Sequence, residues 1–161
     1  MTTEEYNKCV DNYSDNVYRF ILKNLRDEDK AKDVVQDTFE KMWIKAENIS
    51  YLKAKSYLFS AAYHTMIDMI RKDKRQTHFD MVNQEDHSHT EQYNDLNEIL
   101  HRALNQLAED QRSIIMLRDY EGYSYREISQ ITGFSESQVK VYIYRGRQHL
   151  KKYLGRIEAL V

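Results

Sequence analysis

Apolar residues along this chain recur at steps of three and four, the rhythm of helices buried on one face. Residues 6–25 carry Val10, Tyr13, Val17, Phe20, Ile21 and Leu25 in that register, and residues 28–47 carry Ala31, Val34, Val35, Thr38, Phe39, Met42 and Ala46. Asn48, Ile49 and Ser50 read as a break, after which residues 56–74 present Phe59, Ala62, Tyr63, Met66, Ile67 and Ile70. The periodicity disappears over residues 78–93 (HFDMVNQEDHSHTEQY), which are polar and acidic. It returns with Leu96, Ile99, Leu100, Ala103, Leu104 and Leu107, and again with Ile114, Ile115 and Leu117. The chain has no proline and four glycines, so the Gly/Pro punctuation of a strand-rich fold is missing. These patterns predict an all-α protein: two small helical domains, residues 1–77 and 96–161, joined by an acidic flexible linker over residues 78–95. Fully extended, its aperiodic stretch reaches on the order of 50 Å, enough to let the two lobes sit on separate targets.

The most specific passage spans residues 122–154. Ser124 and Glu127 have the spacing of a capping box, in which hydroxyl and carboxylate each satisfy the other residue's backbone N–H. A short helix with Ile128 and Ile131 inward then ends at Gly133, the residue type that a left-handed helix terminus favours. Ser135 and Gln138 repeat the capping signal and open a longer helix. Short helix, glycine turn and capped second helix make a helix-turn-helix, whose second helix enters the DNA major groove. On that helix Val139, Ile143, Gly146, Leu150 and Leu154 share the inward face, while Lys140, Tyr144, Arg147 and Lys151 share another, with Arg145 beside them. Gly146 costs roughly 1 kcal/mol against Ala in a helix interior; it either permits close helix packing or loosens the helix.

Charge sharpens this picture only through its distribution. The net charge of −2 gives no support to nucleic-acid binding. Residues 138–157, however, hold six basic side chains and no acid, and residues 78–95 hold five acids and no Lys or Arg. The single cysteine, Cys9, excludes an internal disulfide and fits a reducing cytoplasm; its place in a helical apolar pattern marks it as a buried thiol. No apolar run approaches the roughly 20 residues of a membrane span, and the first residues, MTTEEYNKCV, do not read as a secretory leader.

A second signature lies in the first half. The segment DVVQDTFEKMW over residues 33–43 resembles the core-binding helix of sigma-factor region 2. Residues 57–72, from Tyr57, Leu58 and Phe59 to Asp68, Arg71 and Lys72, resemble the helix that melts and reads the −10 element. Residues 123–147 resemble region 4, the reader of the −35 element. With both lobes in this order and no region 3 domain between them, the chain resembles an extracytoplasmic-function (ECF) sigma factor of bacterial RNA polymerase.

The resemblance implies a factor without catalytic chemistry or cofactor, acting in the cytoplasm on core RNA polymerase, through its β′ and β subunits, and on promoter DNA. An anti-sigma factor is a further partner it allows, and membrane insertion is not implied. Asp33, Gln36, Asp37 and Glu40, opposite the apolar stripe of their helix, would dock on the β′ coiled coil. In the third helix Tyr57 and His64 would stack on exposed bases. There Arg71 and Arg75, with Lys72 and Lys74, would track phosphates; Asp68 shares the stripe, and Lys53 and Lys55 lie in the loop that captures a flipped base. The family usually has asparagine where His64 stands. Lys140, Val141, Tyr144 and Arg145 would read the −35 bases, since Lys and Arg donate to guanine and Val meets a thymine methyl. Arg126, Ser137 and Arg147 suit phosphates, which fix register.

Two other readings compete. A helix-turn-helix regulator with a sensing or dimerising first lobe accounts for residues 122–154 but leaves residues 33–43 a coincidence. An enzyme with a metal bound by His78, His87 and His89, with Asp80 and Glu85 nearby, lacks the cysteines or helical i,i+4 pairs of fixed metal geometry. No phosphate loop, nucleophile elbow or zincin motif occurs.

Overall fold

The computed structural model describes residues 1–79 and 95–160, which form seven α-helices and two single 3-10 turns and, among these residues, no strand. Helices α1 (Thr3–Leu25), α2 (Glu28–Ile44) and α3 (Ala54–Phe79) make the first lobe; α4 (Asp95–Asn105), α5 (Glu109–Asp119), α6 (Tyr125–Thr132) and α7 (Glu136–Leu160) make the second.

Local chemistry sets the boundaries. Thr2 and Glu5 form a reciprocal capping box at the start of α1, and Arg26 in the left-handed region, at φ 53°, closes it. Asp27 then caps α2 by accepting from the Lys30 backbone N–H at 3.1 Å. The α2 helix stops at Ile44, two residues before the apolar rhythm does. The chain tightens there into 3-10 turns over Ala46–Asn48 and Tyr51–Lys53 before α3 begins.

The apolar faces meet as the rhythm predicts. Val17, Phe20 and Ile21 of α1 pack with Ala31, Val34 and Met42 of α2 and with Leu58, Phe59, Ala62 and Met66 of α3, all essentially inaccessible. Cys9 is fully buried among them. In the second lobe Leu104, Ile114, Leu117, Ile128, Ile131, Val139 and Ile143 do the same. Thr38, a polar residue in the core stripe, satisfies its hydroxyl by donating to the Val34 carbonyl at 2.7 Å.

The lobes are docked on each other. Tyr123, in the loop before α6, packs edge-on against Phe59 of α3 with ring centroids 5.2 Å apart. The Tyr63 hydroxyl donates to Asp110 of α5 at 2.6 Å, and Lys74 pairs with Glu109 at 2.9 Å. Asn24, buried at the end of α1, accepts from Ser113 at 3.2 Å and from Arg112 at 3.3 Å. The linker expected between the lobes, apart from its first and last residues, lies outside the described residues.

Candidate polymerase and nucleic-acid interfaces

Three surfaces carry the residues singled out from the sequence. On α2, Asp33, Gln36 and Glu40 are exposed and Asp37 is half-exposed, on the side opposite the fully buried Ala31, Val34, Thr38 and Met42. The face is internally braced: Gln36 donates to Glu40 at 3.3 Å, and Lys41 pairs with Asp37 at 2.9 Å. Such exposed i,i+4 pairs contribute only about 0.3–0.5 kcal/mol, so the carboxylates remain available to a partner.

The second surface runs along α3 and the turns before it. Lys53 and Tyr57 line an open cavity of 460 Å³ with Asn48, Ser50 and Ser60, and Gln130 of α6 forms its far wall. His64, Asp68 and Arg75 are exposed, and the Tyr63 ring stands edge-on to His64 at 5.1 Å. Three of the expected DNA ligands are engaged by the other lobe, Lys74 through its pair with Glu109. The Lys55 ammonium sits 4.9 Å from the Tyr123 ring centroid, and Arg71 lies 3.8 Å from the Asp110 carboxylate. Burial, then the hydrogen bond to Asp110, pushes the Tyr63 hydroxyl far above its usual titration range, so Tyr63 is a fixed donor at this seam.

The third surface is the helix-turn-helix. Both capping boxes form: Ser124 N–H donates to Glu127 at 3.0 Å and Glu127 N–H returns to the Ser124 hydroxyl at 3.1 Å. Ser135 and Gln138 repeat the exchange at 3.0 and 3.1 Å. Gly133 between them has φ 86°, a left-handed value that disfavours other residues. Val139 and Ile143 are buried, so Ser137, Lys140, Val141, Tyr144 and Arg145 all face outward along one side of α7, with Arg126 of α6 also exposed. Tyr144 is 66% exposed and Val141 41%, an unusual display of apolar surface between cations.

Residues the sequence did not flag hold that face in place. The Tyr125 ring lies between the Arg118 guanidinium, 4.8 Å from its centroid, and the Lys140 ammonium at 5.8 Å. Asp119 accepts from Arg147 at 2.6 Å and raises that guanidinium's pKa further. Arg147 therefore reaches a phosphate only by sharing or leaving Asp119. The alternatives for Gly146 also resolve: a Cβ there would collide with Cδ1 of the buried Ile115, so its absence lets α7 approach α5 closely.

Asp80, Glu85, His87 and His89, and the side chain of His78, lie outside the described residues. Among those described, no helix is long and apolar enough to cross a membrane.

A helix-turn-helix lobe docked on a three-helix lobe with an acidic outer stripe defines a DNA-binding protein built to engage a protein partner as well. The comparisons make it specific. Residues 9–76 match the family model for sigma-70 region 2, and residues 97–150 match that for sigma-70 region 4. The ECF RNA polymerase sigma factor SigM of Bacillus subtilis is 29% identical over 149 residues, covering 89% of this chain and 91% of that protein. The ECF RNA polymerase sigma factor SigL of Mycobacterium tuberculosis is 30% identical over 135 residues, covering 77% and 74%. The sigma factor RpoE of Bartonella quintana, solved with the anti-sigma factor NepR, superposes with a TM-score of 0.79 at 27% identity, over 95% of this chain and 98% of that one. The chain belongs to the ECF sigma factors of bacterial RNA polymerase: it binds the core enzyme and directs promoter recognition and transcription initiation.

Proposed function

We propose that the labour divides along the chain as its surfaces do. Residues 1–77 dock on core polymerase through Asp33, Gln36, Asp37 and Glu40 of α2, against the β′ coiled coil. The same lobe opens the −10 element with Lys53, Lys55, Tyr57, His64, Asp68, Arg71 and Arg75. Residues 96–161 read the −35 element with Lys140, Val141, Tyr144 and Arg145, while Arg126, Ser137 and Arg147 hold phosphates, and residues 78–95 connect the two. The factor has no catalytic chemistry of its own and works in the cytoplasm beside the polymerase. The observation that carries this reading is the exposed side of α7, where Val141, Tyr144 and Arg145 stand clear of protein and Lys140 leans on the Tyr125 ring, on a helix opened by its own capping box and buried on its other side.

The docked lobes add that the free factor is a weak DNA binder. Lys55 and Arg71 face Tyr123 and Asp110 in this state, and a lone helix-turn-helix has no second half-site to add. Polymerase holds both lobes on one promoter, which makes the second engagement effectively intramolecular. An anti-sigma factor would act by favouring the docked state, as the likeness to RpoE in its complex with NepR suggests. Gel shifts of holoenzyme on a promoter and on its −35 mutants test the base-reading assignment. Arg145→Ala should relax sequence preference, costing about 1–3 kcal/mol on the cognate base alone, and Arg147→Ala should weaken all sequences evenly. Tight, sequence-specific binding by the free protein would overturn the reading.

A further inference from the structure

Among the side chains placed to read −35 bases, Lys140 has the least direction of its own. Val141 is short and stiffened by its branched Cβ, Tyr144 carries a rigid ring, and Arg145 ends in a planar fork of donors. Lys140 ends in a compact ammonium on a flexible four-carbon stem, exposed in the second turn of α7. Such a side chain gives up much rotamer freedom when it settles on one base edge. The structure supplies it with a rest. Its ammonium lies over the Tyr125 ring, 5.8 Å from the centroid, within the roughly 6 Å over which a ring face attracts a cation. Tyr125 is itself fixed. It is the first residue of α6, set by the Ser124 and Glu127 capping box, and its half-buried ring packs against the core. The Arg118 guanidinium lies over the same ring at 4.8 Å and donates to the Tyr123 carbonyl at 2.9 Å. Because Arg118 is tied down, the ring is the fixed member of its contact with Lys140, and Lys140 is the movable one.

We propose that Tyr125 is a positioning residue for −35 recognition: its ring directs the Lys140 ammonium toward the base it reads and so sets how strongly that one position is selected. The proposal rests on reading Lys140 as a base-reading residue and adds the group that aims it. The base it fits is guanine, whose O6 and N7 accept from lysine. An exposed cation–π contact is weak, and it strengthens as water leaves, which is what happens when α7 enters the groove. The attraction is therefore greatest where the base is being discriminated. It depends on the face of the ring and not on the phenol hydroxyl, so phenylalanine preserves it. Leucine keeps an apolar side chain against the core and removes the face.

The test is the affinity of holoenzyme, by gel shift, for a promoter and for a set in which each −35 base pair is replaced in turn. Lys140→Ala should flatten selection at one position and spare the others. Tyr125→Leu should flatten selection at that same position by about two- to fivefold, the range of an exposed cation–π contact. Tyr125→Phe should select as wild type does. Adding Tyr125→Leu to Lys140→Ala should change nothing further at that position. Flattened selection in Lys140→Ala beside wild-type selection in Tyr125→Leu would overturn the positioning role and leave Lys140 standing as a reader. Wild-type selection in Lys140→Ala would overturn the base-reading assignment itself. If Tyr125→Phe weakened every sequence evenly, the hydroxyl would be a phosphate ligand and the proposal would be wrong. A measurement on the folded wild-type chain guards against misfolding of Tyr125→Leu: the Lys140 ε-methylene protons should show a ring-current shift in wild type and in Tyr125→Phe. Random-coil shifts there would overturn the proposal whatever the leucine variant does.

Discussion

Two substitutions at the seam between the lobes should move it in opposite directions. Asp110 accepts the Tyr63 hydroxyl at 2.6 Å, and Tyr63 is only 2% exposed. Asp110→Ala leaves that hydroxyl without its acceptor while the lobes are docked, but free to meet water once they part. An unsatisfied buried polar group costs about 1–3 kcal/mol; about 2 kcal/mol shifts the docked-to-open ratio roughly thirtyfold toward open. The Arg71 contact at 3.8 Å adds little, since Arg71 is mostly solvated. Tyr123 supplies the reverse case. Its ring is 3% exposed against Phe59, and its hydroxyl is buried with no hydrogen-bond partner among the described residues. Tyr123→Phe removes that orphan and should favour docking by about 1 kcal/mol, roughly fivefold. Intramolecular energy transfer between dyes on α1 and α7 reads the ratio. X-ray scattering gives a second measure, with a radius of gyration of about 15 Å for the compact chain. Asp110→Ala should lengthen the distance and raise the free protein's affinity for DNA, and Tyr123→Phe should do neither. If both substitutions moved the distance the same way, or Asp110→Ala left it unchanged, the seam would not be held as described.

Three further outcomes are expected. Tyr57→Ala and Arg71→Ala should impair strand opening more than initial polymerase association, read by permanganate reactivity of unpaired −10 thymines; wild-type reactivity in both would leave those residues structural. Gly146→Ala should lower the melting temperature by about 2–4 °C, because overpacking against Ile115, at about 1–3 kcal/mol, outweighs the roughly 1 kcal/mol that Ala returns as helix propensity. Burial, then the nearby Arg26, holds His101 below its usual pKa of 6.5, so the folded chain binds fewer protons there than the unfolded one. Its contribution to stability is therefore complete above about pH 6.5 and declines as pH falls below it; melting curves from pH 7.5 to pH 5.5 should show a shallower acid-side decline in His101→Gln.

What was legible in the sequence is what depends on near neighbours. The capping boxes at Ser124 and Ser135 and the turn at Gly133 are fixed by residues within three or four positions, and all form as the spacing implies. Helix faces are nearly as readable, because one buried side suffices to give the period of Val139, Ile143 and Gly146. The seam was not readable. Tyr63 and Asp110 are 47 residues apart and Asn24 and Ser113 are 89 apart, and Asp110, Asn24 and Ser113 each look, alone, like a polar residue on a solvated helix. Tyr63 sits in its helix's apolar stripe and is indeed buried, but nothing local says that its hydroxyl reaches the other lobe.

Seen whole, the charge pattern explains why a chain of net charge −2 can serve a DNA-binding role. Four of its cations near the proposed DNA and polymerase surfaces are paired with its own acids: Lys74 with Glu109 and Arg71 with Asp110 across the seam, Arg147 with Asp119 and Lys41 with Asp37 within a lobe. Each pair is exposed enough to exchange, and none is strong alone. DNA must therefore displace a carboxylate for each such cation it gains, which holds non-specific affinity down. The base-reading residues need no such exchange, since Lys140 leans on the Tyr125 ring and Tyr144 stands open to solvent. Parting the lobes frees Arg71 and Lys74 together, and each phosphate they then neutralise steepens the salt dependence of binding by about 0.9 on logarithmic axes. The coupling between lobe separation and DNA affinity thus lies in which partner each cation has, with no need for any helix to change its fold.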